Sequence, residues 1–378
     1  MLWQPELHEP PTEQPWNDAR VRERIRAIVK DAEDAYNDLW PAHEWDGWQA
    51  ATPMKNLYVG AAGVVWAIDA LRRRGEADVE LDLARVARRA LDAFREAPDY
   101  IRIEEHTEPR ESGLLCGETG ILAVAWRLAP GAALADELFA RLRANVHNDA
   151  NELMWGAPGT MLAARAMHGW TGERRWLDVW DESAEELRRR RDADGRWTVR
   201  VGGNEFRGLS PVHGLTGNVL ALLQGGPDEQ LVHETAAVLE QGAVHDAGLA
   251  NWNGDEFRLQ WCWGAPGIVV GAASYLPEEL LLAAAELIWR AGPPAMEKGA
   301  GICHGTAGNG YAFLKVFERT GDERWLDRAR RFAMHALEQV ERRGQGRYSL
   351  WTGDVGVALY LADCIDARAA YPILDTWD

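Results

Sequence analysis

A Gly-x-x-Gly segment followed by about ten small or apolar residues recurs along this chain of 378 residues. Successive copies stand about 40 to 60 residues apart, which leaves room for two helices and their loops in each repeat. The helices after the glycines are apolar and belong inside, whereas the charged amphipathic segments between them belong outside. Seven such pairs that close on themselves predict an all-α fold, an α/α toroid with seven inner and seven outer helices. The first glycines of the seven copies are Gly60, Gly117, Gly156, Gly214, Gly264, Gly305 and Gly353.

These glycine turns also predict where a functional site lies. A helix that begins at glycines lets backbone approach backbone, and its first N–H groups point out of the helix end. We therefore expect the turns to ring one mouth of the toroid, with the residue before each first glycine facing a common cup. The polar, aromatic and sulfur-bearing residues at that position are Cys116, Trp155, His213, Trp263 and His304.

The remaining segments vary the pattern. Residues 1–55 are predicted to form a leader and a charged amphipathic helix that packs on the toroid, and residues 56–378 to form the toroid as a single domain. Alternation with period two in Gly195–Gly202 predicts a short hairpin that turns at Gly202. A similar excursion is expected within Gly248–Gln260.

The charge of the chain excludes two classes of partner. Lys and Arg total 41 against 59 Asp and Glu, a net charge of -18. Nucleic acids and anionic membranes both require a basic surface, so neither is expected to bind. No apolar run approaches the ~18 residues of a membrane span, and no signal peptide is evident, so a cytoplasmic location is expected. Four free thiols suit a reducing compartment, and Cys116 and Cys364 are expected to pack in the core.

Two of the glycine turns carry soft metal ligands. Cys303 and His304 stand side by side among glycines, and Cys262 precedes a second Gly-x-x-Gly segment. Two cysteines and one histidine are ligand types that zinc prefers, and three protein ligands with one open position are typical of a catalytic zinc site. The alternative interpretation of these residues is two ordinary buried cysteines and a histidine that caps a helix.

Three motifs resemble the lanthionine synthetase C-like family over about Leu57 to Asp363. This resemblance implies an α/α toroid and one Zn²⁺ ion held by Cys262, Cys303 and His304. It also implies chemistry in which zinc activates a thiol for addition to a dehydroamino acid. The frame around Lys298 makes the chain more similar to the stand-alone members that use glutathione than to the peptide cyclases. The motifs are Cys116-Gly117-Glu118-Thr119-Gly120, Trp261-Cys262-Trp263-Gly264-Ala265-Pro266-Gly267 and Cys303-His304-Gly305-Thr306-Ala307-Gly308-Asn309.

Three further residues are candidates for catalysis or substrate binding. Addition to an alkene activated by a carbonyl builds an enolate, which needs a hydrogen-bonding or positive partner and then a proton. His213 faces the cup and is the candidate proton donor, and Glu152 lies where the cyclases of this family place a catalytic Asp. Lys298 is the candidate to hold a substrate carboxylate or the enolate. The alternatives are a structural histidine, an acid favoured by a helix dipole and a solvated lysine.

The sequence therefore predicts a zinc-dependent enzyme that forms thioethers. It would add glutathione or a peptide cysteine to dehydroalanine or dehydrobutyrine residues of a dehydrated peptide or protein. A lanthipeptide cyclase with a dedicated precursor peptide and a non-catalytic protein that binds glutathione or zinc remain alternatives. A carbohydrate-active toroid ranks last, because it needs two opposed carboxylates and only Glu118 and Glu152 are candidates.

Overall fold

The computed structural model describes residues 1–46, 52–99, 112–252 and 257–377. In these ranges the chain is mostly α-helical, as the glycine repeats predict, and a short 3₁₀-helix (Pro5–Leu7) and two short hairpins are the remaining regular elements. In chain order the helices are α1 (Asp18–Asp34), α2 (Ala61–Arg73), α3 (Leu83–Glu96), α4 (Glu118–Leu128), α5 (Ala132–Asn145), α6 (Ala157–Thr171), α7 (Arg174–Arg189), α8 (Leu215–Leu223), α9 (Glu229–Gly242), α10 (Ala265–Ala272), α11 (Glu278–Ala291), α12 (Thr306–Thr320), α13 (Glu323–Arg343) and α14 (Asp354–Asp366).

The helices alternate between two concentric layers. Each even-numbered helix begins directly after the first glycine of one Gly-x-x-Gly turn and contacts the next even-numbered helix. The inner ring closes because α14 contacts α2. The odd-numbered helices pack outside against their inner neighbours, and α1 completes this layer by packing on α14. The predicted α/α toroid with seven inner and seven outer helices is confirmed, while the domain boundary after residue 55 stays a prediction.

Burial follows the residue types of the two layers. Every residue of α2 from Ala61 to Leu71 is buried, and nearly all of them are small or apolar. In α3 the buried residues lie on one face, and charged residues such as Arg88 face solvent. Burying each large aliphatic side chain contributes roughly 1.5–3 kcal/mol relative to its exposure. Among the described helices, none combines the length and the apolar character that a membrane span requires.

The second glycine of each turn is required by close packing. A Cβ at Gly267 would overlap the carbonyl oxygen of Trp261, and a Cβ at Gly308 would overlap that of Ile302. The same overlap with the carbonyl six residues earlier occurs in all seven turns. The chain before each inner helix is therefore folded back onto the first turn of that helix, which only glycine permits.

Backbone hydrogen bonds link neighbouring turns around the mouth of the ring. The N–H of Tyr58 donates to the carbonyl of Leu115 at 2.9 Å, and the N–H of Leu115 donates to that of Met154 at 3.2 Å. At the other end of the chain, the N–H of Cys303 donates to the carbonyl of Trp351 at 2.7 Å, and the N–H of Trp351 donates to the carbonyl of Tyr58 at 3.1 Å. These bonds hold five of the turns at one end of the inner ring and join the first repeat to the last.

Two antiparallel hairpins interrupt the helices. Strand β1 (Val199–Val201) pairs with β2 (Asn204–Phe206) through Gly202 and its neighbouring glycine, both with positive φ, so the first predicted hairpin is confirmed. Strand β3 (Val244–Asp246) pairs with β4 (Leu249–Asn251) and begins before the predicted excursion. Residues 253–256 of that excursion lie outside the described residues.

Candidate functional site

Cys262, Cys303 and His304 meet at the mouth of the toroid. Their ligand atoms all lie within 4.8 Å of one another, and Cys303 Sγ lies 3.7 Å from His304 Nε2. The two cysteines occupy the same repeat position, two residues before the first glycine of the turns that start α10 and α12. A compact set of two sulfurs and one imidazole nitrogen matches the donors that zinc prefers. This cluster could therefore bind a metal ion.

Each sulfur of the cluster accepts a hydrogen bond from a side chain that the sequence analysis missed. The hydroxyl of Tyr58 donates to Cys303 Sγ at 2.9 Å, and Nε2 of Gln260 donates to Cys262 Sγ at 3.0 Å. Tyr58 stands two residues before Gly60, the same repeat position as the two cysteines. That shared position is a signal that could have identified Tyr58. Gln260 stands four residues before Gly264, the same repeat position that Glu152 holds before Gly156.

The electrostatics of the cluster favour one thiolate. A hydrogen bond from Cys303 lowers the pKa of Cys262 well below its usual value, and the neighbouring His304 acts in the same direction. Burial raises the pKa of Cys303, as do its hydrogen bond to Cys262 and the charge there. Burial acts to lower the pKa of His304, but the negative charge of Cys262 outweighs it and the pKa is raised. These two directions favour a thiolate at Cys262 over one at Cys303, and a metal ion that binds the cluster would displace a remaining thiol proton.

A hydrogen-bonded pair of side chains forms the second part of the cup. Nδ1 of His213, directly before the turn of α8, donates to Oε2 of Glu152 at 3.1 Å. Glu152 is 0% exposed and also accepts the N–H groups of Met154 at 3.0 Å and Trp155 at 2.6 Å. The carboxylate therefore orders the turn before α6 and orients the imidazole, so Nε2 of His213 is the nitrogen left for a substrate.

The surroundings of His213 favour its protonated form. Burial acts to lower the pKa of His213, but the hydrogen bond and charge of Glu152, with a smaller effect of Cys262, raise it above its ordinary value. The ring of Phe206, in β2, packs edge-on against the imidazole with centroids 6.0 Å apart. The first hairpin and Glu152 together fix the orientation of this histidine.

Lys298 lies beside the metal-ligand cluster. It lines a cavity of about 420 Å³ together with His304 and Gln260, and His8 from the N-terminal segment forms part of the wall. The Lys298 ammonium lies 5.9 Å from the centroid of the exposed Trp45 ring. The structure thus brings a cation and a candidate metal ligand to one cavity.

The other candidates from the sequence have structural surroundings. Cys116 and Cys364 are buried, and neither belongs to the cluster found among the described residues. Glu118 is buried and forms ion pairs with Arg95 at 2.6 Å and Arg141 at 2.5 Å. The two carboxylates considered for a carbohydrate-active toroid are therefore engaged elsewhere, Glu118 with arginines and Glu152 with His213.

The sequence model of the family described as lanthionine synthetase C-like protein matches residues 52–375. The chain belongs to the lanthionine synthetase C-like family. This membership confirms the resemblance carried by the three motifs of the glycine turns.

Individual relatives match parts of the chain. The protein named glutathione S-transferase LANCL1 from Danio rerio is 32% identical over 188 residues, 44% of this chain and 45% of that protein. LanC-like protein GCL1 from Arabidopsis thaliana is 29% identical over 178 residues, 42% of this chain and 40% of that protein. The matches thus span less than half the length of these curated relatives. Among solved structures, nisin cyclase has a TM-score of 0.55 at 13% identity, covering 91% of this chain and 94% of its own, a likeness of fold.

Proposed function

We propose that this chain is a zinc-dependent enzyme that forms thioethers by adding a thiol to dehydroalanine or dehydrobutyrine residues of a peptide or protein. The observation that carries the proposal is the convergence of Cys262, Cys303 and His304 in the cup. His213 lies close to this cluster, and the negative charge of Cys262 contributes to the raised pKa of His213. The name of the Danio rerio relative favours glutathione as the thiol. The cytoplasm, where glutathione keeps thiols reduced, is the proposed location.

The metal-ligand cluster would bind zinc through both cysteine sulfurs and an imidazole nitrogen, leaving one position for the substrate. When bound, zinc supplies thiol activation, since it lowers the pKa of a coordinated thiol so that the thiolate exists at neutral pH. Tyr58 and Gln260 orient the two cysteine sulfurs through their hydrogen bonds. Such partners of metal ligands commonly set ligand geometry and affinity.

His213 supplies the proton that completes the addition. The substrate sulfur forms a bond to Cβ of the dehydroamino acid, and the electrons of the C=C bond move to Cα and the carbonyl oxygen as an enolate. The proton lost by the thiol passes to solvent. His213 then donates its Nε2 proton to Cα and regains one from solvent, while Glu152 holds Nδ1 and balances the charge of the imidazolium. A positioned acid contributes about 10²–10⁴-fold.

Lys298 is proposed to bind a carboxylate of the thiol substrate. Its cavity of about 420 Å³ opens beside His304 and falls in the size range of small-molecule sites. Glutathione carries two carboxylates and one thiol, so one carboxylate can pair with the ammonium of Lys298 while the sulfur reaches the cluster.

The test uses purified full-length protein with glutathione and a dehydroalanine-containing peptide. The expected product is heavier than the peptide by one glutathione, and removal of metal by a chelator should abolish its formation. Elemental analysis should show about one zinc per chain. Cyclisation of a cysteine-bearing dehydrated peptide without glutathione coupling would favour the peptide cyclase. Glutathione binding without any addition would favour the non-catalytic protein.

A further inference from the structure

The segment that follows α14 lies among the inner helices, and we call it the 369–377 segment. Trp66 Nε1 in α2 donates to the carbonyl of Trp377 at 3.2 Å, and the ring of Trp377 meets that of Trp170 in α6 edge-on, with centroids 5.7 Å apart. The segment thus contacts inner helices of the first half of the chain, although it follows the last of them. Its side chains that are at most 7% exposed are Ala369, Tyr371, Ile373, Leu374 and Trp377.

Tyr371 contacts the residue before each of the two cysteines in the metal-ligand cluster. Its hydroxyl donates to the carbonyl of Ile302 at 2.6 Å, and Ile302 directly precedes Cys303. Its ring stacks on that of Trp261, with centroids 5.3 Å apart and an interplanar angle of 18°. Trp261 directly precedes Cys262. One side chain therefore joins the two turns that supply the sulfurs.

A third aromatic ring fixes the position of Tyr371. The ring of Trp351 packs on Trp261 at 4.6 Å and on Tyr371 at 5.6 Å between centroids. The carbonyl of Trp351 also accepts the N–H of Cys303 at 2.7 Å. All three aromatic residues are 0% exposed. Because a buried group of this kind is close-packed, one ring cannot shift without displacing the others.

The backbone of Tyr371 is held by Asp375. The N–H of Tyr371 donates to Oδ2 of Asp375 at 2.7 Å, and the N–H of Asp375 donates to the carbonyl of Tyr371 at 3.1 Å. The same carboxylate pairs with Lys315 in α12 at 2.9 Å. Since α12 begins directly after the turn that carries Cys303, the segment is attached to the helix that follows one ligand turn.

We propose that Tyr371 is a positioning residue that fixes the turns of Cys262 and Cys303 relative to each other and thereby raises the zinc affinity of the cluster. Bonds from zinc to sulfur and nitrogen have narrowly defined lengths, so ligands held in place before the metal arrives bind it more tightly. The inference rests on the proposed function, which names zinc as the ion that the cluster holds.

Tyr371→Phe tests the inference, because it keeps the ring and removes the hydroxyl bonded to Ile302. The zinc affinity, measured by competition with a chromogenic chelator, should fall by ~10–100-fold, the range for residues that orient metal ligands. Tyr360→Phe is the matched control. Tyr360 is also 0% exposed, and its hydroxyl also donates to a backbone carbonyl at 2.6 Å, that of Ala329 in α13. Because α13 carries no ligand, this control should keep the wild-type affinity.

Thermal unfolding of the metal-free proteins separates positioning from general stability. Removing a buried, hydrogen-bonded hydroxyl should lower the melting temperature of both variants, whereas zinc affinity should fall only in Tyr371→Phe. Asp375→Ala is the second variant, and it decides if Tyr371→Phe does not fold. It removes the carboxylate that holds the backbone of Tyr371 and should also weaken zinc binding, so an unchanged affinity in this variant would count against the positioning role.

Thioether formation is measured on the same proteins. Equal zinc affinity in Tyr371→Phe and Tyr360→Phe would overturn the positioning role and leave the proposed function intact. Weaker zinc binding by Tyr371→Phe, with no thioether formed even by the wild type, would overturn the proposed function and leave the positioning role standing. A wild-type protein that binds no zinc would overturn both.

Discussion

The two sides of the cup are built from the same repeated Gly-x-x-Gly turns, but they differ in whether their functional side chains are already paired with each other. The turns before α10 and α12 present Cys262, Cys303 and His304, whose ligand atoms lie within 4.8 Å of one another and could hold a metal ion. The turns before α6 and α8 present Glu152 and His213, which are already joined by a hydrogen bond of 3.1 Å between Nδ1 of His213 and Oε2 of Glu152. In the proposed function the first side requires a metal ion from outside the chain, and the second side does not. Substitutions on the first side should therefore act through metal binding, and those on the second through proton transfer.

Cys303→Ala is the strongest test of this difference between the two sides of the cup. Removing one of three ligands should reduce the zinc content from about one per chain to near zero and abolish thioether formation. The helical circular dichroism should be kept, because the inner helices pack through apolar contacts that do not involve the metal. Cys364→Ala is the control, since Cys364 is buried in α14 outside the cluster. Retention of zinc by Cys303→Ala would contradict the assignment of the cluster.

His213→Ala tests the other side and should have the next largest effect. Loss of a positioned proton donor should slow thioether formation by ~10²–10⁴-fold. The zinc content, measured by elemental analysis, should stay at the wild-type level because His213 is not among the three ligands. If this variant loses zinc, the two sides of the cup are not separate and His213 is a ligand.

Glu152→Gln sharpens the comparison through the pH profile. Glu152 raises the pKa of His213, so the protonated donor persists to a higher pH than a free imidazole, and activity should fall as pH rises through that raised pKa. In the variant, burial dominates and lowers the pKa, so the falling limb of kcat/KM should move to lower pH. We expect a ~10–100-fold loss at neutral pH, less than the full worth of the donor.

Glu152 also accepts hydrogen bonds from two backbone N–H groups before α6. The thermal unfolding of the Glu152→Gln variant is therefore measured together with its pH profile. If kcat/KM of the folded, zinc-bound variant falls over the same pH range as that of the wild type, Glu152 only orders the turn and does not set the pKa of His213.

The toroid could be predicted from sequence because every repeat restates the same steric rule. The overlap that a Cβ would meet at positions such as Gly267 makes glycine necessary, and a necessary glycine is visible in the sequence. Cys262, Cys303 and His304 were identifiable because rare ligand types coincide with that frame. Whether they hold zinc stays a prediction that the chemical tests above address.

Contacts that depend on ring closure could not be predicted in the same way. Tyr58 and Cys303 lie 245 residues apart in sequence and meet only because the last repeat joins the first. Glu152 and His213, 61 residues apart, were each proposed, but their hydrogen bond depends on how one turn folds over the next. Tyrosine is also a common packing residue, so its chemistry gave no hint of a sulfur partner. The repeat position of Tyr58 was the only available signal.

Tyr58→Phe should have the smallest effect, and it tests how much a hydrogen bond to one ligand sulfur contributes to zinc affinity. The substitution removes the hydroxyl that donates to Cys303 Sγ at 2.9 Å, while the ring can keep its packing on Trp351 at 5.7 Å between centroids. Partners of metal ligands typically affect metal affinity by about 10–100-fold, and one hydrogen bond to one sulfur should lie near the lower end, ~10-fold. Competition with a chromogenic chelator measures this affinity, with the zinc stoichiometry unchanged at saturation. Tyr348→Phe, which removes a hydroxyl bonded to Asp31 at the surface, is the matched control. Equal zinc affinity in the two variants would mean that the hydroxyl of Tyr58 does not contribute to the metal site.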